Sequence, residues 1–116
     1  MGTIEYRSGQ IITHKLFNYS GVILKVDQTF QLTDEWYEQM AKSKPPKDRP
    51  WYHVLVHKKN HTTYVAERNL QIDASPREIV HSLLPFYFTN IENGIYQKTM
   101  NWENENPLPL NYSGEA

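Results

Sequence analysis

Three histidines recur at every fourth position, His53, His57 and His61, within PWYHVLVHKKNHTTYVAERNL. On an α-helix that spacing stacks three imidazoles on one face, a set suited to a transition metal. The neighbouring residues argue otherwise. WYHVLVH is short, aromatic and β-branched, which favours a strand; there His53 and His57 point the same way but lie roughly 13 Å apart. One ion does not bridge that gap. Tyr52, Val54 and Val56 form the cleaner apolar face, which leaves His53, Leu55 and His57 on a wetter side. KKN then turns the chain and HTTYVA returns as the partner strand, bringing His57 near His61 as a pair suited only to adventitious metal. No metal or cofactor site is expected.

Hydrolytic chemistry fares no better. The sequence has no GxSxG, no phosphate-binding loop and no HExxH, and with no cysteine it has no thiol nucleophile or thiolate zinc site. Glu67, Arg68 and Asn69 are polar and adjacent, but consecutive strand residues face opposite ways and do not converge. They read as structural, with Arg68 pairing a carboxylate and Asn69 ending the strand. The expectation is a non-enzymatic protein.

Binding residues remain. KSKPPKDR places Lys42, Lys44, Lys47 and Arg49 beside Asp48, a run able to contact phosphates, with His14 and Lys15 as neighbours if the fold brings the first strand close. Asp34, Glu35 and Glu38 just upstream offset that charge. Residues 1–70 carry ten Lys/Arg against seven Asp/Glu, and residues 71–116 two against six, for a net charge of −1. Dedicated nucleic-acid binders usually carry a strong positive excess. For protein contacts the candidates are Trp36, Tyr37 and Trp51, aromatics that a small domain need not bury fully.

The elements that position these residues follow from pattern. GQIITHKLFNYSGVILKVD reads as two strands around an FNYSG turn, with Asn18 tolerating left-handed backbone and Gly21 easing the return; Val22, Leu24 and Val26 alternate with Ile23, Lys25 and Asp27 as in a half-buried strand. LTDEWYEQMAKSKPP reads as a short helix, capped by Thr33, with Asp34 and Glu35 in the first turn, a Glu38–Lys42 pair, and Pro45 as its stop. SPREIVHSLLPFYF predicts a helical turn opened by Ser75 and Pro76, with Pro85 limiting its length. Asn93-Gly94 predicts a hairpin in FTNIENGIYQK. Residues 99–116, acidic and proline-bearing, are expected to be an extended tail behind a domain of residues 1–98. A chain of 116 residues is one domain's length. Short strands, one inserted helix and close turns predict a mostly β, small barrel. The opening residues lack an apolar run long enough for a signal peptide or membrane span, so a cytoplasmic location is expected and the sequons at Asn18, Asn60 and Asn111 are expected to be idle.

The blocks GQIITHKLFNYSGVILKVD, DEWYEQM, PPKDRPWYHVLV and TTYVAERNL, in this order, resemble the HspQ or YccV-like family, also called the hemimethylated-DNA-binding domain. The resemblance covers about residues 9–88, and similar domains occur in some eukaryotic F-box proteins. It implies a small SH3-like β-barrel without enzymatic activity. For bacterial members it implies binding of hemimethylated duplex DNA, a role in heat shock and stress response, and modulation of an ATP-dependent Lon-type protease acting on protein clients. Asn18 stands where the family usually has Gly before the Tyr of the first turn, a change that suits a turn. The expectation is an adaptor in client degradation, with DNA binding as the alternative. A small barrel's exposed strand edge also makes a homo-oligomer plausible.

Overall fold

The computed structural model describes residues 4–75 and 77–99. It is mostly β, with a five-stranded antiparallel sheet, a two-stranded hairpin, a short helix inserted between two strands of the sheet and a single helical turn before the hairpin. The expected tail from residue 100 onward, and Pro76, lie outside the described residues.

The sheet contains β1 (Ile11–His14), β2 (Ser20–Asp27), β3 (Trp51–Val56), β4 (Thr62–Ala66) and β5 (Leu70–Ile72), in spatial order β4-β3-β2-β1-β5. The strand expected for WYHVLV and its return through TTYVA are both present, paired from Trp51 opposite Ala66 to Leu55 opposite Thr62. Lys58 takes left-handed backbone in the connecting turn, with φ of 64°.

β4 and β5 sit on opposite edges of the sheet, yet only the 3-10 turn Glu67–Asn69 joins them. Four residue steps span at most about 14 Å, whereas the edges of a flat five-stranded sheet would be roughly 19 Å apart. The sheet is therefore strongly curled. It does not close, so the hydrogen-bonded barrel that was expected is not formed: β5 is three residues long and pairs only with β1.

Curling buries β3 on both faces. Tyr52 and Val54 join Ile12, Ile23, Val65 and Leu70 in one cluster. On the opposite face Leu55 meets Val22, Leu24, Ile79 and Phe88, and Trp51 meets Tyr37, Ala41 and Tyr64. The expected wetter side of β3 is thus corrected: His53 is buried along with Leu55. The reason is the chain after β2 and β5, which folds over that face. β2 is likewise buried on both sides from Val22 to Leu24, not half-buried throughout. A bulge at Leu24 shifts its register between Ile23 and Lys25, so Val26 joins the cluster of Ile23 rather than that of Val22.

The helix α1 (Asp34–Met40) forms where its caps predict, with the Trp36 N–H donating to Thr33 Oγ1 at 3.1 Å. The second helix is misplaced in the sequence reading: α2 is Leu84–Tyr87, and Pro85 lies in its first turn. Proline lacks only a donor that the first turn leaves unpaired anyway. Ser75 instead closes a turn onto Asp73 Oδ1. β6 (Phe88–Glu92) and β7 (Ile95–Lys98) form the expected hairpin, with Asn93 and Gly94 at φ of 54° and 79°. A bridge from Gln10 to Ile95 docks it on the start of β1.

Candidate functional site

Exposed apolar area and charge meet at the β1–β2 turn. Leu16 and Phe17 are 56% and 49% exposed, and with Met40, Lys42 and Ser43 they line a shallow cleft of about 270 Å³. Two hydrogen-bonded residues hold its halves together. His14 is fully buried at the end of β1, and its Nδ1 accepts the N–H groups of Leu16 and Phe17 at 3.1 and 3.2 Å. Asn69 accepts the Lys15 N–H at its backbone oxygen, 2.8 Å away, and donates from Nδ2 to Ser43 Oγ at 3.3 Å. Arg68 donates to the carbonyl of Ser43. Lys42 is exposed in the cleft, and Lys15, the chain neighbour of Leu16, is exposed as well.

The Glu67-Arg68-Asn69 turn is therefore the tie between three segments rather than the end of a strand. Glu67 Oε1 accepts from the Tyr52 hydroxyl at 2.5 Å and the Glu5 N–H at 3.1 Å; burial and that carboxylate push the Tyr52 phenol well above its ordinary pKa. Arg68, expected to pair a carboxylate, takes a carbonyl instead, because the α1 loop lies over the turn.

The basic run is not a row of unpaired cations. Lys44 pairs with Glu38 at 2.7 Å, Lys47 with Asp34 at 2.8 Å, and Arg49 approaches Glu67 at 3.7 Å. These lysines hold the Glu38 and Asp34 carboxyls below their usual range. The expected Glu38–Lys42 pair is replaced by Glu38–Lys44, because the helix ends at Met40 and the chain beyond it turns back, with Lys44 at φ of 53°. Lys44 and Lys47 also lie over the Tyr37 ring, at 5.3 and 4.4 Å from its centroid. Their association with aromatics is internal packing of α1 against its own loop. His14 does not join them in facing a phosphate, because its ring is buried against Phe17 and Tyr19.

Nor are the three aromatics exposed together. Trp51 is fully buried and Tyr37 nearly so, with the Tyr37 hydroxyl donating to Pro45 O at 2.6 Å and Trp51 Nε1 to Pro46 O at 3.1 Å. Trp36, half-buried, closes the cluster against Phe30, Trp51 and Tyr64. Behind them Asp27 Oδ2 accepts from His53 Nε2 at 2.9 Å and from the Tyr64 hydroxyl at 2.7 Å. Desolvation raises the Asp27 pKa, but the bonds from His53 and Tyr64, with Lys25 nearby, outweigh it and leave the carboxyl below its ordinary value.

The remaining histidines are spread apart by function as acceptors and donors. His57 Nδ1 accepts the Val80 N–H at 3.0 Å, and His81 Nε2 bonds the His61 carbonyl at 3.0 Å. Burial, Lys58 and Arg77 lower the His57 pKa. Among the described residues no three His, Asp or Glu side chains gather as a metal-holding group, and no helix is long and apolar enough to cross a membrane.

A patch of exposed apolar side chains on a hydrogen-bonded turn, with lysine beside it and a small β scaffold beneath, is the arrangement of a small binding domain. The chain belongs to the YccV-like family, described as hemimethylated DNA-binding protein YccV like, whose family model matches residues 4–95. It is 30% identical over 113 residues to F-box only protein 21 of Homo sapiens and to that of Pongo abelii. In each comparison 96% of this chain is covered but only 18% of the relative, so the chain spans under a fifth of those proteins' length. No solved structure matches the chain.

Leu16 and Phe17 were absent from the residues singled out in the sequence. Their signal was present: two large apolar residues inside a turn, between His14-Lys15 and Asn18, where burial has no periodicity to exploit.

Proposed function

We propose that this is a non-enzymatic, cytosolic protein-binding module that takes part in degradation by contacting a client or an ATP-dependent, Lon-type protease. The observation that carries the reading is the exposure of Leu16 and Phe17 beside Met40 on a turn fixed by His14. Such side chains cost little ordering entropy to bind when their backbone is already held. Lys15 and Lys42 at the rim fit a partner with an apolar anchor inside an acidic border. The relatives' name, F-box only protein, supports the degradation theme that the family resemblance implies.

The test adds the purified protein to a Lon-type protease with several model clients. The wild type is expected to change the degradation rate, and Leu16→Ala with Phe17→Ala to abolish the change while leaving the fold intact. An unchanged rate across a wide concentration range with every client would remove the reading.

The family's description favours a second reading, binding of hemimethylated duplex DNA. Under it, affinity for a duplex falls steeply with salt, and Lys44→Ala with Lys47→Ala flattens that slope. No duplex binding at low salt would dismiss it.

A further inference from the structure

A cleft of about 480 Å³ lies away from the basic run and from the Leu16–Phe17 turn. It opens where the β6–β7 hairpin diverges from the sheet. Beside it the Tyr96 N–H donates to Gly9 O at 2.9 Å and Gln10 bridges Ile95. Beyond that junction Ile4 and residues 6–8 form one wall, Lys25 and Val26 another, and residues 95–98 the third.

The lining has a definite chemistry. Arg7, Lys25 and Lys98 supply three cations, and among the described residues no carboxylate lines it. Arg7 and Lys25 make no ion pair among the described residues, unlike Lys44 and Lys47, which are tied to Glu38 and Asp34. Ile4, Val26 and Ile95 give the same cleft an apolar share.

We propose that this cleft binds an extended, acidic segment of a partner polypeptide, with carboxylates on Arg7, Lys25 and Lys98 and intervening apolar side chains on Ile4, Val26 and Ile95. An extended chain alternates its side chains between opposite faces, so one stretch satisfies both kinds of wall. Nucleic acid fits less well. Three cations neutralise few phosphates, and the apolar wall would face a charged backbone. The proposal rests on the protein-binding reading only in taking a polypeptide as occupant.

Fluorescence anisotropy with a labelled peptide of alternating Glu and Leu tests it. The expected result is saturable binding that weakens about tenfold or more in Arg7→Glu with Lys25→Glu, and that stays within about twofold of wild type in Lys42→Glu with Leu16→Ala. Should the double reversal unfold, Arg7→Gln and Lys25→Gln, tested singly, are each expected to weaken binding in a folded protein. The reversed variant is also expected to gain affinity for a Lys/Leu peptide. Binding indifferent to Arg7 and Lys25 overturns the proposal, as does a labelled duplex that displaces the peptide and itself depends on those two residues. Loss of degradation activity in Leu16→Ala with Phe17→Ala, with peptide binding retained, separates this site from the turn.

Discussion

His14 Nδ1 accepts the backbone N–H of Phe17 at 3.2 Å, so a fully buried imidazole shapes the most exposed apolar turn of the sheet. Because the same nitrogen accepts from Leu16, it carries no proton in this arrangement, and any hydrogen on the neutral ring sits on Nε2. His14→Ala leaves two amide donors without their acceptor and a void beneath Phe17 and Tyr19. The expected cost is about 2–4 kcal/mol, read as a lower urea midpoint with an unchanged slope. Partner binding through Leu16 and Phe17 should fall with it at temperatures where the variant is still folded.

A second prediction concerns acid. Asp27 has a folded-state pKa below its ordinary 3.8, so the unfolded chain takes up its proton first as pH falls. The stabilisation it contributes is present above that ordinary value and is lost as pH drops through the depressed one. Asp27→Asn keeps an acceptor for the Tyr64 hydroxyl but removes the charge facing His53. It should be less stable than wild type near neutrality, with a gap that narrows toward pH 3. Urea denaturation at several pH values reads both slopes; a gap constant with pH would show that the carboxylate's ionisation contributes nothing.

Much of the scaffold was legible because local chemistry and tertiary packing agree. Thr33 caps α1, Asn93-Gly94 turns the last hairpin, and WYHVLV pairs with TTYVA. Burial was less so. His53 looked solvent-facing because alternation assumes one wet face, and a curled sheet covered by later segments has none along β3. Pro85 looked like a helix breaker, yet in the first turn of α2 its missing donor costs nothing. That Asp34 and Glu38 offset the basic run was legible, but the particular pairs were not, because only the backward turn after Met40 brings Lys44 to Glu38 and Lys47 to Asp34. The cleft beside the last hairpin draws Arg7, Lys25 and Lys98 from three distant segments, a grouping no local pattern encodes.

Trp36 and Trp51 make a paired prediction. Trp51 is fully buried and its Nε1 donates to Pro46 O. Trp36 Nε1 is buried without a hydrogen-bond partner. A donor desolvated without compensation is destabilising, so its removal offsets part of the packing lost with the larger ring. Trp36→Phe is expected to cost at most about 1 kcal/mol, and Trp51→Phe about 2–3 kcal/mol, by thermal or urea unfolding. Equal costs would mean that the Trp36 indole finds a partner in solution.

Gly9 and Gly94 separate two reasons for glycine. Gly94 has φ of 79° and nothing within 4 Å of an added Cβ, so Gly94→Ala bears only the left-handed backbone penalty, about 1–2 kcal/mol. Gly9 has φ of 93°, and its added Cβ would stand 2.2 Å from the Tyr96 carbonyl oxygen. That oxygen belongs to the backbone and cannot swing aside. Gly9→Ala must therefore push β7 away from the start of β1, breaking the Tyr96 N–H bond to Gly9 O and loosening the Ile79 N–H bond to the Tyr96 hydroxyl. Hydrogen exchange at Tyr96 and Ile79 is expected to accelerate sharply in Gly9→Ala and to change little in Gly94→Ala. If both variants protect those amides equally, the hairpin is held by its apolar contacts with Ile11 and Leu24 alone.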